Sequence, residues 1–510
     1  MVETVQERKS INKEIHTAVR HGAVYGLGTI LAKALGFLMV PVYTHFLSPV
    51  DFGVLEILDL SMTLFGMFLN MGMTASLLRC YAAAASDEEK RTTVSTAFIF
   101  VAATGLITLL LGLGSIKAVS TLVFGPSIPP KYLLLSFVSF ILGYICNLPR
   151  IYLRAREASG SYVTIDTLSI VVVLALNIVF IVVLQIGLIG ILLSSLISVI
   201  LQVVLLSAWT LREVGFRFSR RLLEQMVRFG LPLVFSNMAL FTLNFSDRFF
   251  LQHLKSLDVV GIYAVGYKFG FMVNYLLVQP FLVMWQSRMY IIYTKADHAK
   301  IFGQIFTLYS MVLTYAGLAL ALLSPEIVRF MVDPKFSASK DVIPIVAGAY
   351  VIWGVGYYVQ IGMFLTNRTS MIGAISVAAA GLNLALNYFF IGHYGMLGAA
   401  WATLFSFVAI AVANYRFSQR FLPLPLGMRR VAVAMCLSLS LYLVSRWWSP
   451  ASIAIALLIK ILFLCAFPLI LWKARILSPA EIGTLASTRD SIAGGILRLL
   501  GRRSQSAVSL

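Results

Sequence analysis

The chain has 510 residues, of which 59% are hydrophobic and only 12% are charged, whereas about 25% of residues are charged in a typical soluble protein. The mean hydropathy of +0.89 excludes a water-soluble fold, because too few polar residues remain to cover a globule. The formal net charge of +19 would suit a nucleic-acid-binding protein if a soluble domain carried a basic face. No segment outside the apolar stretches is long enough to form such a domain.

Apolar segments of about 20 residues, the length that crosses a bilayer as a helix, follow one another along the whole chain. Charged or Pro/Gly-rich breaks separate fourteen of them, which we call spans 1 to 14. Spans 1 to 6 lie near 22–46, 52–78, 94–116, 132–153, 162–184 and 188–210. Spans 7 to 14 lie near 229–252, 258–285, 302–324, 341–365, 371–391, 396–415, 428–446 and 451–472. The sequence therefore predicts an all-α polytopic membrane protein.

Lysine and arginine residues indicate the orientation, because cytoplasmic loops retain them. If the N-terminus is inside, the inner segments hold 29 of the 40 Lys and Arg residues and the outer loops hold seven. Both termini are therefore expected in the cytoplasm. The asymmetry also explains much of the net charge without a nucleic-acid partner. The four remaining cations, which lie inside predicted spans, are Lys33, Arg248, Lys268 and Lys460.

Spans 1 to 6 and spans 7 to 12 form an internal repeat with an offset of 208 to 210 residues. The matching pairs are residues 19–22 with 227–230, Ser48 with Ser256, Gly53 with Gly261, residues 174–177 with 384–387, and residues 187–190 with 395–398. Each repeat has an even number of spans, so the two repeats are parallel, and in transporters of this kind the substrate site lies between them. We predict an N-lobe of residues 1–220, a C-lobe of residues 221–425, and a segment of residues 426–510 with spans 13 and 14 and a basic cytoplasmic tail.

Polar side chains line one face of the first two spans of each repeat, since residues three, four, seven and eleven positions apart share a helix face. Such faces should contact protein or water rather than lipid. The repeat symmetry can place the four faces around one cleft. The candidate site residues are Lys33 in span 1, Asp59 in span 2, Asn237, Asn244, Asp247 and Arg248 in span 7, and Lys268, Tyr275 and Gln279 in span 8.

A series of short motifs runs in order from residue 20 to about 415. The first half contains Leu35-Gly36-Phe37, Pro41-Val42-Tyr43-Thr44, Leu47-Ser48-Pro49 with Asp51-Phe52-Gly53, Asn70-Met71-Gly72-Met73-Thr74-Ala75, Arg79 and Tyr81. The second half contains Phe229-Gly230-Leu231-Pro232, Ser246-Asp247-Arg248, Gly261-Ile262-Tyr263 and Tyr267-Lys268, and Leu-Ala-Leu-Asn occurs once in each half. This series resembles the oligosaccharide flippases, or polysaccharide transporters, of the multidrug/oligosaccharidyl-lipid/polysaccharide exporter superfamily.

The resemblance implies two six-helix bundles in a V shape. It also implies a transporter, not an enzyme, that exports an undecaprenyl-pyrophosphate-linked oligosaccharide from the inner to the outer leaflet of the bacterial plasma membrane by alternating access. Membrane lipids and other glycan-assembly proteins are the expected partners, and a monomer is expected. The sequence leaves open whether a proton, a sodium ion or the membrane potential drives the cycle.

With that substrate class, Lys33, Arg248 and Lys268 could bind a pyrophosphate between the lobes, because Arg offers a planar fork to phosphate oxygens and Lys a mobile charge. Asp59 and Asp247 would balance these cations in the empty site, since an unpaired cation in low dielectric costs several kcal/mol. Alternatively, Asp59 and the Asp247–Arg248 pair only hold helices together. Lys460 either contacts a lipid headgroup or serves packing and snorkelling.

Two other functions stay open at the level of sequence. A multidrug or cation-coupled exporter of the same superfamily would favour an acidic cavity, whereas Lys33, Arg248 and Lys268 outnumber Asp59 here. A polytopic glycan polymerase or glycosyltransferase would need a large loop or a carboxylate-rich site for acid/base chemistry. Neither a metal nor another cofactor is expected, because the four cysteines lie singly without a histidine at ligand spacing.

Overall fold

The structure, a computed structural model, describes residues 36–126, 128–156, 158–448 and 452–476. Within these ranges all regular elements are helices and no strand occurs. Large hydrophobic side chains are exposed along many of the helices, as expected where the surrounding solvent is the hydrocarbon core of a bilayer. The protein is therefore an all-α, multi-pass membrane protein, which confirms the predicted fold class.

The described part of the N-lobe contains seven α-helices. They are α1 (Val40–Phe46), α2 (Pro49–Asn70), α3 (Met73–Ala83), α4 (Asp87–Phe124), α5 (Pro130–Ala155), α6 (Ser159–Asn177) and α7 (Leu188–Val214). A short π-helical segment, Ile178–Val183, continues α6. Ser48 caps α2 with a capping box, because its hydroxyl accepts from the Asp51 amide at 3.1 Å while the Asp51 carboxylate accepts from the Ser48 amide. Most of predicted span 1 lies outside the described residues.

The second half of the chain continues with α8 (Arg220–Leu254), α9 (Leu257–Gly270), α10 (Gln279–Tyr293), α11 (His298–Met331), α12 (Val342–Val359), α13 (Ile361–Leu365), α14 (Thr369–Phe421), α15 (Met428–Trp447) and α16 (Ile453–Lys473). A π-helical segment, Asn274–Val278, joins α9 to α10, and a 3-10 helix, Pro334–Asp341, precedes α12. The two parts of α8, Arg220–Pro232 and Asn237–Leu254, are bent by 47° relative to each other.

The 53 residues of α14 would measure about 80 Å as one continuous helix, far more than a bilayer crossing. Gly395 divides α14, because its φ of 57° and ψ of −131° are not helical. With α8 counted once and α14 counted twice, the described residues contain thirteen candidate membrane spans. These correspond to predicted spans 2 to 14.

The two repeats build equivalent turns from equivalent glycines. Gly187, with φ 63° and ψ −139°, separates the fifth and sixth spans, and Gly395 has nearly the same angles 208 residues later. Only glycine adopts such a conformation without strain. Three residues further on, Gly190 and Gly398 leave no room for a Cβ atom against the preceding helical segment. The duplication predicted from sequence is therefore a duplication in structure, whereas the exact lobe boundaries stay a prediction.

The lobes meet where α2 and α9 cross near their N-terminal ends. A Cβ atom on Gly53 would lie 1.9 Å from the Leu257 carbonyl oxygen, and one on Gly261 would lie 2.0 Å from the Pro49 carbonyl oxygen. Both the glycines and the carbonyls are related by the offset of 208 residues. The contact is thus reciprocal, so the local two-fold axis passes between α2 and α9. We call this backbone contact the glycine crossing.

Further contacts close the same end of the molecule, which we call the outer end because the predicted topology places it outside. The Asp333 amide donates to Thr44 Oγ1 at 3.4 Å, and Lys335 Nζ donates to the His45 carbonyl at 3.0 Å. The Phe52 ring on α2 contacts the Phe336 ring edge-on, with centroids 5.7 Å apart. The outer ends of the lobes are therefore in direct contact.

At the opposite end of α2, α3 contacts the first part of α8. Ser76 Oγ donates to the Met226 carbonyl at 2.7 Å, and the Arg79 guanidinium lies 4.3 Å from the centroid of the Phe229 ring. A Cβ on Gly72 would lie 2.3 Å from the Gly230 carbonyl oxygen. The first part of α8 thus packs against the N-lobe although it begins the second repeat.

Candidate functional site

Arg248 lies in the second part of α8, where only 1% of its side chain is exposed. Its Nη1 lies 2.7 Å from Asp247 Oδ1 and donates to the Asn244 carbonyl at 2.9 Å. The guanidinium carbon lies 3.7 Å from the centroid of the Tyr267 ring, a cation–π contact that is strongest when desolvated. Arg248 is therefore neutralised and enclosed in the C-lobe.

Three tyrosine hydroxyls bond to the neighbours of Arg248. Tyr263 on α9 donates to Asp247 Oδ2, and Tyr267, four residues later, donates to the Asn244 carbonyl at 3.1 Å. The single proton of the Tyr350 hydroxyl on α12 can go to the Tyr267 hydroxyl oxygen or to Asn244 Oδ1, which is 3.0 Å away. These bonds fix α8, α9 and α12 relative to one another.

Glu56 on α2 connects this arrangement to the N-lobe. Its side chain is 12% exposed, with Oε2 3.3 Å from Lys268 Nζ and Oε1 3.7 Å from Arg248 Nε. Arg248 Nε has no hydrogen-bond partner within the described residues, and the Glu56 carboxylate faces it without a hydrogen bond. We call Glu56, Asp247, Arg248 and Lys268 the interlobe charge cluster, and its formal charge is zero.

The accessibility of the two cations differs greatly. Lys268 Nζ lies 4.6 Å from the centroid of the Phe52 ring on the N-lobe, yet 42% of the Lys268 side chain is exposed. Lys268 is thus the cation of the cluster that a ligand can reach in this structure. Arg248 is not reachable without separation of the helices around it.

The structure brings together part of the predicted site. Asn244, Asp247, Arg248 and Lys268 meet as described above, whereas Lys33 lies outside the described residues. The side chain of Asp59 is exposed, and the N-lobe carboxylate that contacts the two cations is Glu56, one helical turn earlier. The sequence predicted more cations than carboxylates at the site. In the described cluster the numbers are equal, because Glu56 and Asp247 balance Arg248 and Lys268.

The remaining predicted residues lie farther along the same helices. Asn237 is exposed at the start of the second part of α8. Tyr275 is exposed, and its ring contacts that of Phe271 with centroids 4.5 Å apart. Gln279 Nε2 lies 3.5 Å from Asn274 Oδ1. The role of these three residues as substrate contacts stays a prediction.

The sequence contained a signal for Glu56. Glu56 precedes Asp59 by three residues, so it lies on the same polar face of span 2. Its partners could not be read from periodicity, because they belong to the other lobe. The tyrosines around Arg248 were missed for the same reason, although two of them recur four residues apart on α9.

The two Leu-Ala-Leu-Asn motifs have structural roles. Asn177 Nδ2 donates to the Tyr43 hydroxyl at 2.8 Å. Asn387 Nδ2 donates to Ser246 Oγ at 3.2 Å and to Asn383 Oδ1 at 2.9 Å. In each repeat, this asparagine ties the fifth span to the first. Both asparagines are buried, where an unpaired amide would be costly.

Lys460, the deep cation on α16, forms an ion pair with Glu326 on α11. Its Nζ lies 2.6 and 2.8 Å from the two carboxylate oxygens, and the side chains are only 12% and 13% exposed. The pair connects the last helix to the C-lobe. It lies on different helices from the interlobe charge cluster.

Within the described residues, two parallel repeats are joined across a central interface that contains buried charges, an architecture typical of membrane transporters. Residues 18–284, more than half of the chain, match the family described as polysaccharide biosynthesis protein. The chain therefore belongs to this family. A comparison with curated protein sequences gives no match.

Solved structures support the same fold. The lipid II flippase MurJ in an inward closed conformation superposes with a TM-score of 0.70 at 14% identity, covering 89% of this chain and 100% of that protein. An inward-facing multidrug resistance MATE family transporter of the MOP superfamily gives 0.60 at 15% identity, with coverages of 79% and 95%. A MOP superfamily transporter from Pyrococcus furiosus gives 0.51 at 13% identity, with coverages of 78% and 94%. At these identities the likenesses show a shared fold.

Proposed function

We propose that the protein is a flippase that moves an oligosaccharide linked to undecaprenyl pyrophosphate from the inner to the outer leaflet of the bacterial plasma membrane. The observation that carries this proposal is the fold likeness to a lipid II flippase over the full length of that protein, in a chain of the polysaccharide biosynthesis family. In this proposal the protein acts as a monomer with both termini in the cytoplasm.

The interlobe charge cluster supplies a mechanism for coupling the ligand to lobe movement. Glu56 lies one helical turn below Gly53 on α2, directly beneath the glycine crossing. A pyrophosphate that enters the cleft competes with Glu56 for Lys268, the accessible cation. Since Glu56 is the N-lobe partner of the two cations, its release weakens the contact that holds the outer ends together. A ligand can shift a conformational equilibrium only through such a difference in interactions between states.

Arg248 has a different role in this mechanism. Asp247 neutralises it and keeps it in the C-lobe, so it stays in place while Lys268 contacts the ligand. Lys33, Asp59, Asn237, Asn244, Tyr275 and Gln279 are proposed to line the remainder of the path. Membrane lipids and glycan-assembly proteins are the proposed partners.

Transport by purified protein in liposomes tests the function. A lipid-pyrophosphate-linked oligosaccharide with a fluorescent sugar should move between leaflets, measured as its accessibility to a membrane-impermeant quencher. Lys268→Ala should slow this movement, whereas Lys131→Ala, which removes an exposed lysine at the start of α5, should not. Equal rates with protein-containing and protein-free liposomes would contradict the flippase proposal.

The interlobe charge cluster contains two carboxylates as well as two cations, so a multidrug exporter is the alternative function. A multidrug exporter would use Glu56 and Asp247 as binding groups for a cationic substrate. The same liposomes, loaded with a cationic dye, separate the two functions. Dye export that depends on Glu56, together with no movement of the lipid-linked oligosaccharide, would favour the multidrug exporter.

A further inference from the structure

A cavity with a volume of about 240 Å³ lies between α11, α15 and α16, away from the interlobe charge cluster. Two of these helices, α15 and α16, are outside the duplicated repeats, so the cavity has no counterpart in the N-lobe. Its polar lining consists of Ser324, Glu326, Arg329, Tyr442, Ser445, Arg446 and Lys460. Three of these side chains are cationic and one is anionic.

Donors remain available in this cavity. Lys460 bonds both oxygens of Glu326, but an ammonium group has three donors. Arg446 Nη1 lies 3.0 Å from Asp341 Oδ1, which leaves much of its five-donor fork unused. Arg329 is exposed and forms no ion pair or side-chain hydrogen bond with the part of the chain that the structure describes. With Asp341 included, the group keeps one excess positive charge, so it favours an anionic ligand.

The tryptophans near the cavity locate it at the membrane surface. Trp447 ends α15 and is 96% exposed, and Trp448 lines the cavity and is 67% exposed. Tryptophan is enriched at the level of the lipid headgroups, so Arg446 and Arg329, at the ends of α15 and α11, lie at that level. Lys460 lies about 10 Å deeper, since it follows the start of α16 by seven residues.

The surface next to the cavity is suited to acyl chains. Leu458 and Leu462 on α16 are 59% and 57% exposed and flank Lys460 in the sequence. A ligand with an anionic headgroup and acyl chains would contact both the cations of the cavity and the apolar surface of α16. A soluble anion would use the cations alone. The cavity is too small for an oligosaccharide, but it has room for one phosphate with a small substituent.

We propose that this cavity binds the phosphate group of an anionic phospholipid in the adjacent leaflet, which is the outer one in the predicted topology. Arg329 and Arg446 hold the phosphate oxygens, and Lys460 contributes its remaining donor from below. Glu326 neutralises Lys460 when no lipid is present. This site is independent of the proposed transport path.

Lipid retention by the purified full chain tests the site. Native mass spectrometry should detect bound phosphatidylglycerol in preference to phosphatidylcholine with the same acyl chains. Arg329→Ala should reduce the retained phosphatidylglycerol roughly tenfold, the scale of one lost charge-assisted contact. The matched control is Lys117→Ala, which removes an exposed lysine near the C-terminal end of α4, on the same predicted side of the membrane as the cavity. This variant should retain phosphatidylglycerol fully.

Thermal unfolding provides a second readout. Phosphatidylglycerol should raise the Tm of the wild type and of Lys117→Ala, because a ligand that binds the folded state stabilises it. It should raise the Tm of Arg329→Ala much less. In phosphatidylcholine alone, Arg329→Ala should unfold like the wild type.

Equal retention of phosphatidylglycerol by the wild type and Arg329→Ala would overturn the proposal, as would equal retention of the two phospholipids by the wild type. Undecaprenyl pyrophosphate is the decisive competitor. If it displaces phosphatidylglycerol at lower concentration, and this depends on Arg329, the cavity is a substrate site instead. None of these outcomes depends on whether the protein transports glycans.

Discussion

Replacing Glu56 by glutamine removes the carboxylate that connects the lobes and nearly preserves the size and shape of the side chain. Asp247 still lies 2.7 Å from Arg248, so the substitution does not leave that buried cation unpaired. Lys268 is 42% exposed and can be solvated. Glu56→Gln should therefore weaken the contact between the lobes more than it weakens folding.

The magnitude follows from the two contacts that are lost. The Glu56–Lys268 pair at 3.3 Å has one half-exposed partner, which limits its contribution to about 1 kcal/mol. The Glu56–Arg248 contact at 3.7 Å is buried, and desolvation offsets most of its Coulomb attraction. We expect a total of about 1–3 kcal/mol, which corresponds to roughly a 5- to 150-fold shift toward separated outer ends.

Spin labels at positions 117 and 340 measure this shift, because both lysines are exposed near the outer ends of different lobes. The labels require the native cysteines to be replaced, of which Cys436 and Cys465 are exposed. Electron–electron double resonance should show one short distance population in the wild type. Glu56→Gln should add a longer population.

The matched control is Glu326→Gln, which makes the same chemical change in another ion pair. Glu326 is 13% exposed and Glu56 is 12% exposed, but Glu326 contacts α16 and not the other lobe. Its distance distribution should equal that of the wild type. Identical distributions for all three proteins would refute the view that Glu56 holds the outer ends together.

Lys268→Ala should slow glycan-lipid movement in liposomes at least tenfold and Lys268→Arg should slow it less, because charge is retained; equal rates for the two variants would argue against a charge contact. Gly53→Ala should make the outer ends more accessible to thiol reagents, since its Cβ would lie 1.9 Å from a carbonyl oxygen of α9, and unchanged labelling would show that the helices readily adjust. Asn387→Ala should lower the free energy of unfolding by about 1–3 kcal/mol by leaving buried partners unpaired, measured as a lower Tm. A cysteine at position 295 should be protected from an impermeant thiol reagent in intact cells and one at position 340 should react; the reverse pattern would invert the predicted topology.

Part of the candidate site could be predicted from the sequence, because a charged residue inside an apolar span can be recognised without knowledge of its contacts. Arg248 and Lys268 were identified as deep cations before any contact was known, and both belong to the charge cluster. Lys460 was likewise recognised as unusual. Its two interpretations could not be separated without Glu326, which lies 134 residues away in the sequence.

Glu56, the N-lobe carboxylate beside Arg248 and Lys268, is not among the residues predicted from the sequence. Periodicity indicated Asp59 on the polar face of span 2, and the role of Asp59 in the site stays a prediction. The two residues are one helical turn apart. Periodicity gives the face of a helix but not the height at which another helix crosses it, and the glycine crossing sets that height.

The sequence by itself determined that the chain is an all-helical membrane protein built from two parallel repeats. Hydrophobic span length, positive-residue asymmetry and the 208-residue offset are properties of the chain that require no tertiary contact. The pairing of charges across the lobes was decided by the tertiary structure, because Gly53 and Gly261 allow α2 and α9 to approach at backbone distance. That close approach places Glu56 beside Arg248 and Lys268, and no local pattern in either repeat specifies it.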